Sequence, residues 1–277
     1  MTARQDELTL VIGAHGKTGR RVAAQLREQG RAVRAVSRAT EVRFDWDDRS
    51  TWPAALAGTT QAYVTFQPDL AVPGALPVVT DFFAQAVAAG CRRIVLLSGR
   101  GEVEAEAAED ALKASGADWT VLRCAWFHQN FSEAFLAGSV AAGQVALPVG
   151  DMGEPFIDAD DIADVAVAAL TQPGHAGRLY ELTGPEPISF PQATAAIAEA
   201  TGRDIVFATI APADLRAGMA QAGVDAPTIE LVLYLFRELL DGRNQQPTGD
   251  VQRVLGRPPR RFIDYVSRTA ATGVWNA

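Results

Sequence analysis

The sequence predicts an α/β protein: a doubly wound parallel sheet with a smaller C-terminal α/β lobe. Three observations predict it. Through residue 125, short apolar runs alternate with longer amphipathic ones, the βαβα order of a parallel sheet. The short runs are near-continuously apolar rather than alternating, as strands covered by helices on both faces must be. Glycines recur at Gly13, Gly16 and Gly19, between the first run and the first amphipathic stretch.

The elements follow in order. LTLVI (8–12) is a buried strand. Lys17–Gln29 is a helix with Val22, Ala23 and Leu26 on one face, closed by Gly30. AVRAVS (32–37) and EVRFD (41–45) are strands two and three, and RSTWPAALA (49–57) is a short helix. AYVTF (62–66) is strand four. ALPVVTDFFAQAVAAG (75–90) is a helix closed by glycine, and RIVLLS (93–98) is strand five. EAEAAEDALKASG (104–116) is a helix of strong formers, and DWTVLR (118–123) is strand six. Beyond residue 125 the pattern loosens. DADDIADVAVAAL (158–170) is a helix whose acidic first turn suits the helix dipole. RLYELTG (178–184) is a strand, and SFPQATAAIAEATG (189–202) a helix with Ser189 as N-cap. APTIELVLYLFRELLDG (226–242) is a helix apolar most of the way round. The expected division is 1–150 for a nucleotide-binding domain and 151–277 for a smaller lobe, partly interleaved with the first.

Composition narrows the function classes. A chain of 277 residues buries one large core, or a core and a small lobe. A net charge of −8 argues against nucleic acid, which needs a basic face. The densest basic group, Arg257, Arg260 and Arg261, is short. Cys91 and Cys124 form no CxxC pair, so disulfides and zinc are not expected and the reducing cytoplasm is the expected compartment. The opening MTARQDE has no apolar core of a signal peptide, and no run reaches the roughly 18 apolar residues of a membrane span. His15, His128 and His175 are too scattered for a metal site. The expected partner is a small molecule, bound by a monomer or homodimer.

A strand, a glycine turn and a helix start make an anion site, because the helix N-terminus offers unpaired N–H groups and partial positive charge. Gly13 permits the turn, Gly16 lets backbone approach a pyrophosphate, and Gly19 lets the helix pack against the strand. The spacing is GxxGxxG rather than GxGxxG. His15 lies within the loop, and Lys17 and Thr18 add a cation and a hydroxyl beside the phosphates, without a Walker GxxxxGK[ST] pattern.

Strand two selects the dinucleotide. An NAD site usually ends this strand with an acid for the ribose 2′-hydroxyl. Here Ser37 and Arg38 stand there, and a guanidinium fork suits a 2′-phosphate. The expected cofactor is therefore NADP(H), with Arg34 the competing basic residue on the strand. In FDWDD (44–48), Asp45 either bonds the adenine amino group with Trp46 covering the ring, or the segment is an acidic turn with one anchored tryptophan.

The chain resembles the NmrA-like branch of the atypical short-chain dehydrogenases over nearly its whole length. VIGAHGKTGRRVAAQL, RIVLLSG, LKASGADWTVLRCAWFHQNF, PFIDADDIADVAVAAL and VQRVLGRPPRRFIDYV carry the resemblance. VRFDWDD and CAWFHQNFSE are most similar to the iminium reductases of ergot-alkaloid pathways, with triphenylmethane-dye and quinone reductases also near. The resemblance implies a Rossmann lobe and a smaller substrate lobe. It places Thr65, Phe66 and Gln67, then Ser98, Gly99 and Arg100, then Trp126, Phe127 and Asn130 near the nicotinamide. Ser98 bonds the ribose or a substrate oxygen, or caps the strand end. Arg100, Trp126, Phe127 and Asn130 line the substrate, and His128 is a candidate acid by its chemistry.

The departures are informative. GRGEVEAEAAEDALK (99–113) contains no tyrosine, so the YxxxK pair of ordinary short-chain dehydrogenases is missing. Many relatives carry a lysine four residues before the glutamate that aligns with Glu109, and Ala105 stands there. Without an evident proton donor, the expected reaction is hydride transfer to an already electrophilic acceptor, such as an iminium or a quinone. The alternative is a redox sensor that binds NADP(H) without turnover, as the founding member of the family does.

Overall fold

The computed structural model describes residues 7–276. The N-terminal residues read above for targeting, 1–6, lie outside them. The chain forms two compact units. The first comprises 1–124, 159–182 and 253–256, and the second 125–158, 183–252 and 257–277. The chain thus leaves the first unit at residue 125 and returns twice, so one cut at residue 150 does not describe the division.

In chain order the elements of the first unit are β1 (Leu8–Ile12), α1 (Gly19–Glu28), β2 (Val33–Val36), α2 (Trp52–Leu56), β3 (Thr59–Val64), α3 (Ala75–Ala88), β4 (Arg93–Gly99), α4 (Val103–Ala114) and β5 (Asp118–Cys124). The second unit then begins with α5 (Leu136–Ala141), β6 (Gln144–Leu147) and β7 (Gly153–Glu154). The chain re-enters the first unit for α6 (Ala159–Thr171) and β8 (Arg178–Leu182). The remaining elements are β9 (Ile188–Ser189), α7 (Phe190–Thr201), β10 (Val206–Thr209), α8 (Pro212–Gln221), α9 (Ala226–Leu239), α10 (Asp250–Leu255) and α11 (Phe262–Ala270).

The first unit is built on a six-stranded sheet, all parallel, in the order β2-β1-β3-β4-β5-β8. Its apolar centre includes Leu10, Ile12, Ala62, Val64, Ile94, Leu96 and Val121, all almost fully buried. The strand order reverses between β1 and β3. In such a sheet ligands bind in the crevice at the strands' carboxyl ends, at that switch point.

Two strands differ from the sequence reading. Residues 41–45 form no strand and touch the sheet through a single bridge, Ser37 to Arg43. The Thr40 hydroxyl accepts from Ser37 N at 2.7 Å and donates to Ser37 O at 2.9 Å, which turns the chain off the sheet edge. Trp46 Nε1 then donates to Thr65 O at 3.1 Å and Trp52 Nε1 to Asp45 O at 2.9 Å, which pins the segment down. Strand β3 begins earlier than its apolar run, at Thr59, because buried Gln61 donates to Thr9 Oγ1 at 2.7 Å and satisfies its amide inside the sheet.

The second unit has its own core, with Phe131, Phe156, Phe190, Phe262 and Trp275 among the buried residues. Ser189 caps α7 and closes a capping box with Gln192, as its position before the apolar run predicts. The parallel β6–β10 pair joins short segments far apart in sequence. No helix among the described residues is long and apolar enough to cross a membrane.

Candidate active site

The carboxyl edge of the first unit's sheet gathers the glycine loop, the end of β2 and the ends of β3 and β4. Gly13 has φ +81°, and a Cβ there would lie 2.7 Å from Thr65 Oγ1. Thr65 in turn donates to Ile12 O at 3.2 Å, so the end of β3 walls the loop at the switch point. Gly16 is exposed at the loop crest. A Cβ on Gly19 would meet Gly13 O at 2.2 Å, so only glycine lets α1 start this close to the loop. The N-cap Thr18 makes no side-chain cap, and the first turn of α1 holds no acid. The helix dipole is therefore uncompensated by side chains at this end. A tight turn, an open crest and a positive helix end fit a pyrophosphate.

Residues around the loop fall into two groups. His15 Nδ1 lies 3.1 Å from Ser37 Oγ, which joins the loop to the end of β2. Lys17 is half-buried and Arg38 is exposed. The Arg38 side chain makes no hydrogen bond or ion pair among the described residues, whereas Arg34 is committed: its Nη1 donates to Ala55 O at 2.9 Å and to Ala57 O. Asp45 accepts from Arg43 Nη2 at 2.8 Å. That bond, helped by the Arg38 charge, holds the Asp45 carboxyl below its ordinary range. Phe66 is half-buried and Gln67 exposed past the end of β3. By contrast, Thr18 is 4% exposed and acts on the buried Tyr63. Trp46 is 8% exposed, packed edge-on against Phe44 at 4.9 Å and Phe82 at 5.1 Å. Aromatic contacts of this kind stabilise by about 0.5–1.5 kcal/mol beyond area burial. Trp46 is thus the anchored tryptophan of the turn, not a cover for an adenine.

Past β4 the picture differs from expectation. Ser98 is buried and its hydroxyl donates to Glu109 Oε1 at 2.8 Å. Arg123 clasps both oxygens of Glu109, Nε and Nη2 each at 2.7 Å, and Lys113 Nζ lies 3.7 Å away. This bond lifts the Arg123 pKa above its ordinary value. The Ser98 hydroxyl is thereby spent on a buried ion network, and the place of the relatives' lysine is filled by fully buried Ala105. Arg100 pairs with Glu181 at 3.2 Å rather than standing open.

The sequence reading passed over two acids here. Asp69 lies five residues beyond β3, and Glu102 lies three beyond β4, the neighbouring strand. The two carboxyls interact electrostatically. The usable signal was positional: an acid shortly after each of two adjacent parallel strands.

In the second unit, Trp126 packs against Phe190 at 5.6 Å and Phe236 at 5.1 Å, with half-exposed Phe135 at 6.4 Å. Phe127 bridges to Ile157, and Asn130 is half-buried. His128 is fully buried. Its Nε2 lies 2.9 Å from Phe156 O, and its ring packs on Phe262 and Tyr265. The ring is a packing element of this unit, and its Nδ1 lies 3.7 Å from buried Asp158 Oδ2.

A parallel sheet with a glycine cradle at its switch point defines a dinucleotide-binding α/β protein of the Rossmann type. The chain belongs to the NAD(P)H-binding family, whose sequence profile matches residues 13–173. It is 32% identical over 285 residues, 95% of this chain and 98% of the relative, to a (4-alkanoyl-5-oxo-2,5-dihydrofuran-3-yl)methyl phosphate reductase of Streptomyces griseus. Its fold is shared with an NADPH-dependent quinone oxidoreductase of Escherichia coli solved with NADPH (TM-score 0.79, 21% identity, 94% of this chain and 99% of that one). It is shared also with an NmrA double mutant (TM-score 0.71, 15% identity, 97% of each chain). The NmrA-like resemblance holds, and the protein is an NAD(P)H-dependent oxidoreductase.

Proposed function

We propose that the protein is an NADPH-dependent reductase of a planar, electrophilic small molecule of secondary metabolism: an iminium, a quinone or a similar acceptor. When bound, the cofactor supplies a hydride. Gly13, Gly16 and Gly19 with the α1 N-terminus hold the pyrophosphate, flanked by His15 and Lys17. Ser37 and Arg38 hold the 2′-phosphate, Asp45 the adenine end, and Thr65, Phe66 and Gln67 the nicotinamide end. Trp126, Phe127 and Asn130 serve the substrate.

The observation that carries this reading is the Glu109 network. Where ordinary short-chain dehydrogenases present a tyrosine and a lysine, this helix presents a glutamate neutralised by Arg123 and bonded by Ser98. That arrangement holds the sheet edge together and donates no proton. With no proton from this helix position, the reading favours an acceptor electrophilic in its own right, with desolvation and positioning supplying much of the rate. The small-molecule relative acting on an unsaturated lactone phosphate supports the same class.

The test is loss of NADPH absorbance with a quinone, a cationic triphenylmethane dye, a cyclic iminium and a simple ketone. Turnover with any of the first three and none with the ketone is expected. Tight NADPH binding with no consumption across the panel would overturn the reading in favour of a sensor.

A further inference from the structure

Glu102 occupies the N-cap position of α4, yet its side chain does not cap the helix. It is 5% exposed instead, and its Oε2 is buried with no hydrogen-bond partner. The carboxyl lies over the backbone of Gly99: a Cβ there would sit 2.1 Å from Oε1 and 2.4 Å from Oε2. Only a glycine at the end of β4 leaves room for it. Asp69, on the loop after β3, acts on it electrostatically and is itself fixed by Ala71 N, which donates to Oδ1 at 2.8 Å. The charged group next in influence on Glu102 is Glu104, on the first turn of α4.

Two interacting carboxyls, one of them 5% exposed, do not readily both ionise. The helix end favours a carboxylate, but burial and the Asp69 and Glu104 charges outweigh it and push Glu102 up to about 9. Burial raises Asp69 also. At neutral pH Glu102 thus keeps its proton. The pair sits at the carboxyl ends of two adjacent strands, beside the switch point where the ligand binds.

We propose that Glu102, with Asp69 as its positioning partner, is the acid that protonates the reduced acceptor, and that the acceptor is a quinone or conjugated carbonyl. This rests on the reductase reading above and deepens it. Hydride addition to such an acceptor moves an electron pair onto a carbonyl oxygen. The Glu102 O–H bond breaks, its proton bonds to that oxygen, and Glu102 is left as a carboxylate that solvent reprotonates. NADPH is the two-electron reductant, and one hydride plus one proton balance the product. An iminium or a cationic dye becomes neutral on hydride addition and needs no proton, so the pair serves the oxyanion-forming class.

The test compares wild type with Glu102→Gln and Asp69→Asn. With a quinone, kcat of wild type should fall on an alkaline limb near pH 9. Glu102→Gln should remove that limb and lower kcat by about a hundredfold, a loss at least about tenfold greater than any loss with a cyclic iminium, since general acid catalysis serves only the former. Equal losses with both acceptors, or a retained limb, would overturn the proposal. A second readout needs no turnover. Difference infrared spectra of the unliganded protein at neutral pH should show a protonated carboxyl that Glu102→Gln removes and that NADPH binding shifts. A missing band, or one indifferent to NADPH, would overturn the proposal. Failure of wild type to oxidise NADPH with any acceptor would refute the reductase reading instead, while the infrared result still decides the state of the pair.

Discussion

Replacing Arg38 with alanine removes a guanidinium at the end of β2 that makes no hydrogen bond or ion pair among the described residues. Arg34 cannot substitute, since it is tied to the carbonyls that end α2. Arg43 is paired with Asp45 at 2.8 Å and would have to abandon that carboxylate. A hydrogen bond to a charged group contributes about 1.5–3 kcal/mol, which corresponds to about ten- to a hundredfold in affinity. Arg38 is exposed, so screening pulls the value toward the lower end. Calorimetric titration of Arg38→Ala should show NADPH affinity falling by at least about tenfold with NADH affinity unchanged. Arg38→Lys should lie between, keeping the charge and losing the fork. The wild-type preference for NADPH should shrink with added salt. An unchanged preference in Arg38→Ala would refute the assignment of the 2′-phosphate to this strand end.

Other consequences follow from the same geometry. Gly19→Ala forces a methyl to 2.2 Å from Gly13 O, an overpacking cost of about 1–3 kcal/mol or more. Calorimetry should show a lowered Tm, and NADH and NADPH binding should weaken together. Glu109→Gln takes from Arg123 its fully buried partner and leaves it Glu106 and Glu181, and should cost about 1.5–3 kcal/mol in urea unfolding. The double variant with Arg123→Met should cost less than the sum. The folded-state pKa of Glu102 is raised from 4.5 to about 9, so the native state holds an extra proton between those values. That contribution is complete below pH 4.5 and is lost as pH rises toward 9, so wild type should lose stability across this window more steeply than Glu102→Gln.

The sheet and the cradle were legible because their signals are local. Buried parallel strands are continuous apolar runs, and Gly13, Gly16 and Gly19 answer to backbone crowding that any sequence must meet in the same way. Strand β3 was cut short because Thr59, Thr60 and Gln61 read as polar, while Gln61 finds its partner on β1, far away in sequence. The expected strand at 41–45 fails for a side-chain reason, the Thr40 turn, that apolar periodicity does not register. The parallel β6–β10 pair is four residues per strand and joined only by the fold. At the site, Arg38 was readable from its place on strand two. The partners of Ser98, Arg100 and His128, namely Glu109, Glu181 and Phe156 O, were not legible because they become neighbours only on folding. The Asp69–Glu102 pair was missed for the same reason: two acids 33 positions apart (102 less 69) carry no joint signal until β3 and β4 lie side by side.

The most direct test of hydride transfer is to follow the hydride. NADPH carrying deuterium at the transferring nicotinamide carbon, in each of its two configurations, is incubated with the protein and a conjugated carbonyl or cyclic iminium, and the product is read by mass spectrometry. The account predicts deuterium bound to carbon in the product from one configuration and none from the other. Bound cofactor with no label in any product, or label from both configurations alike, would contradict it.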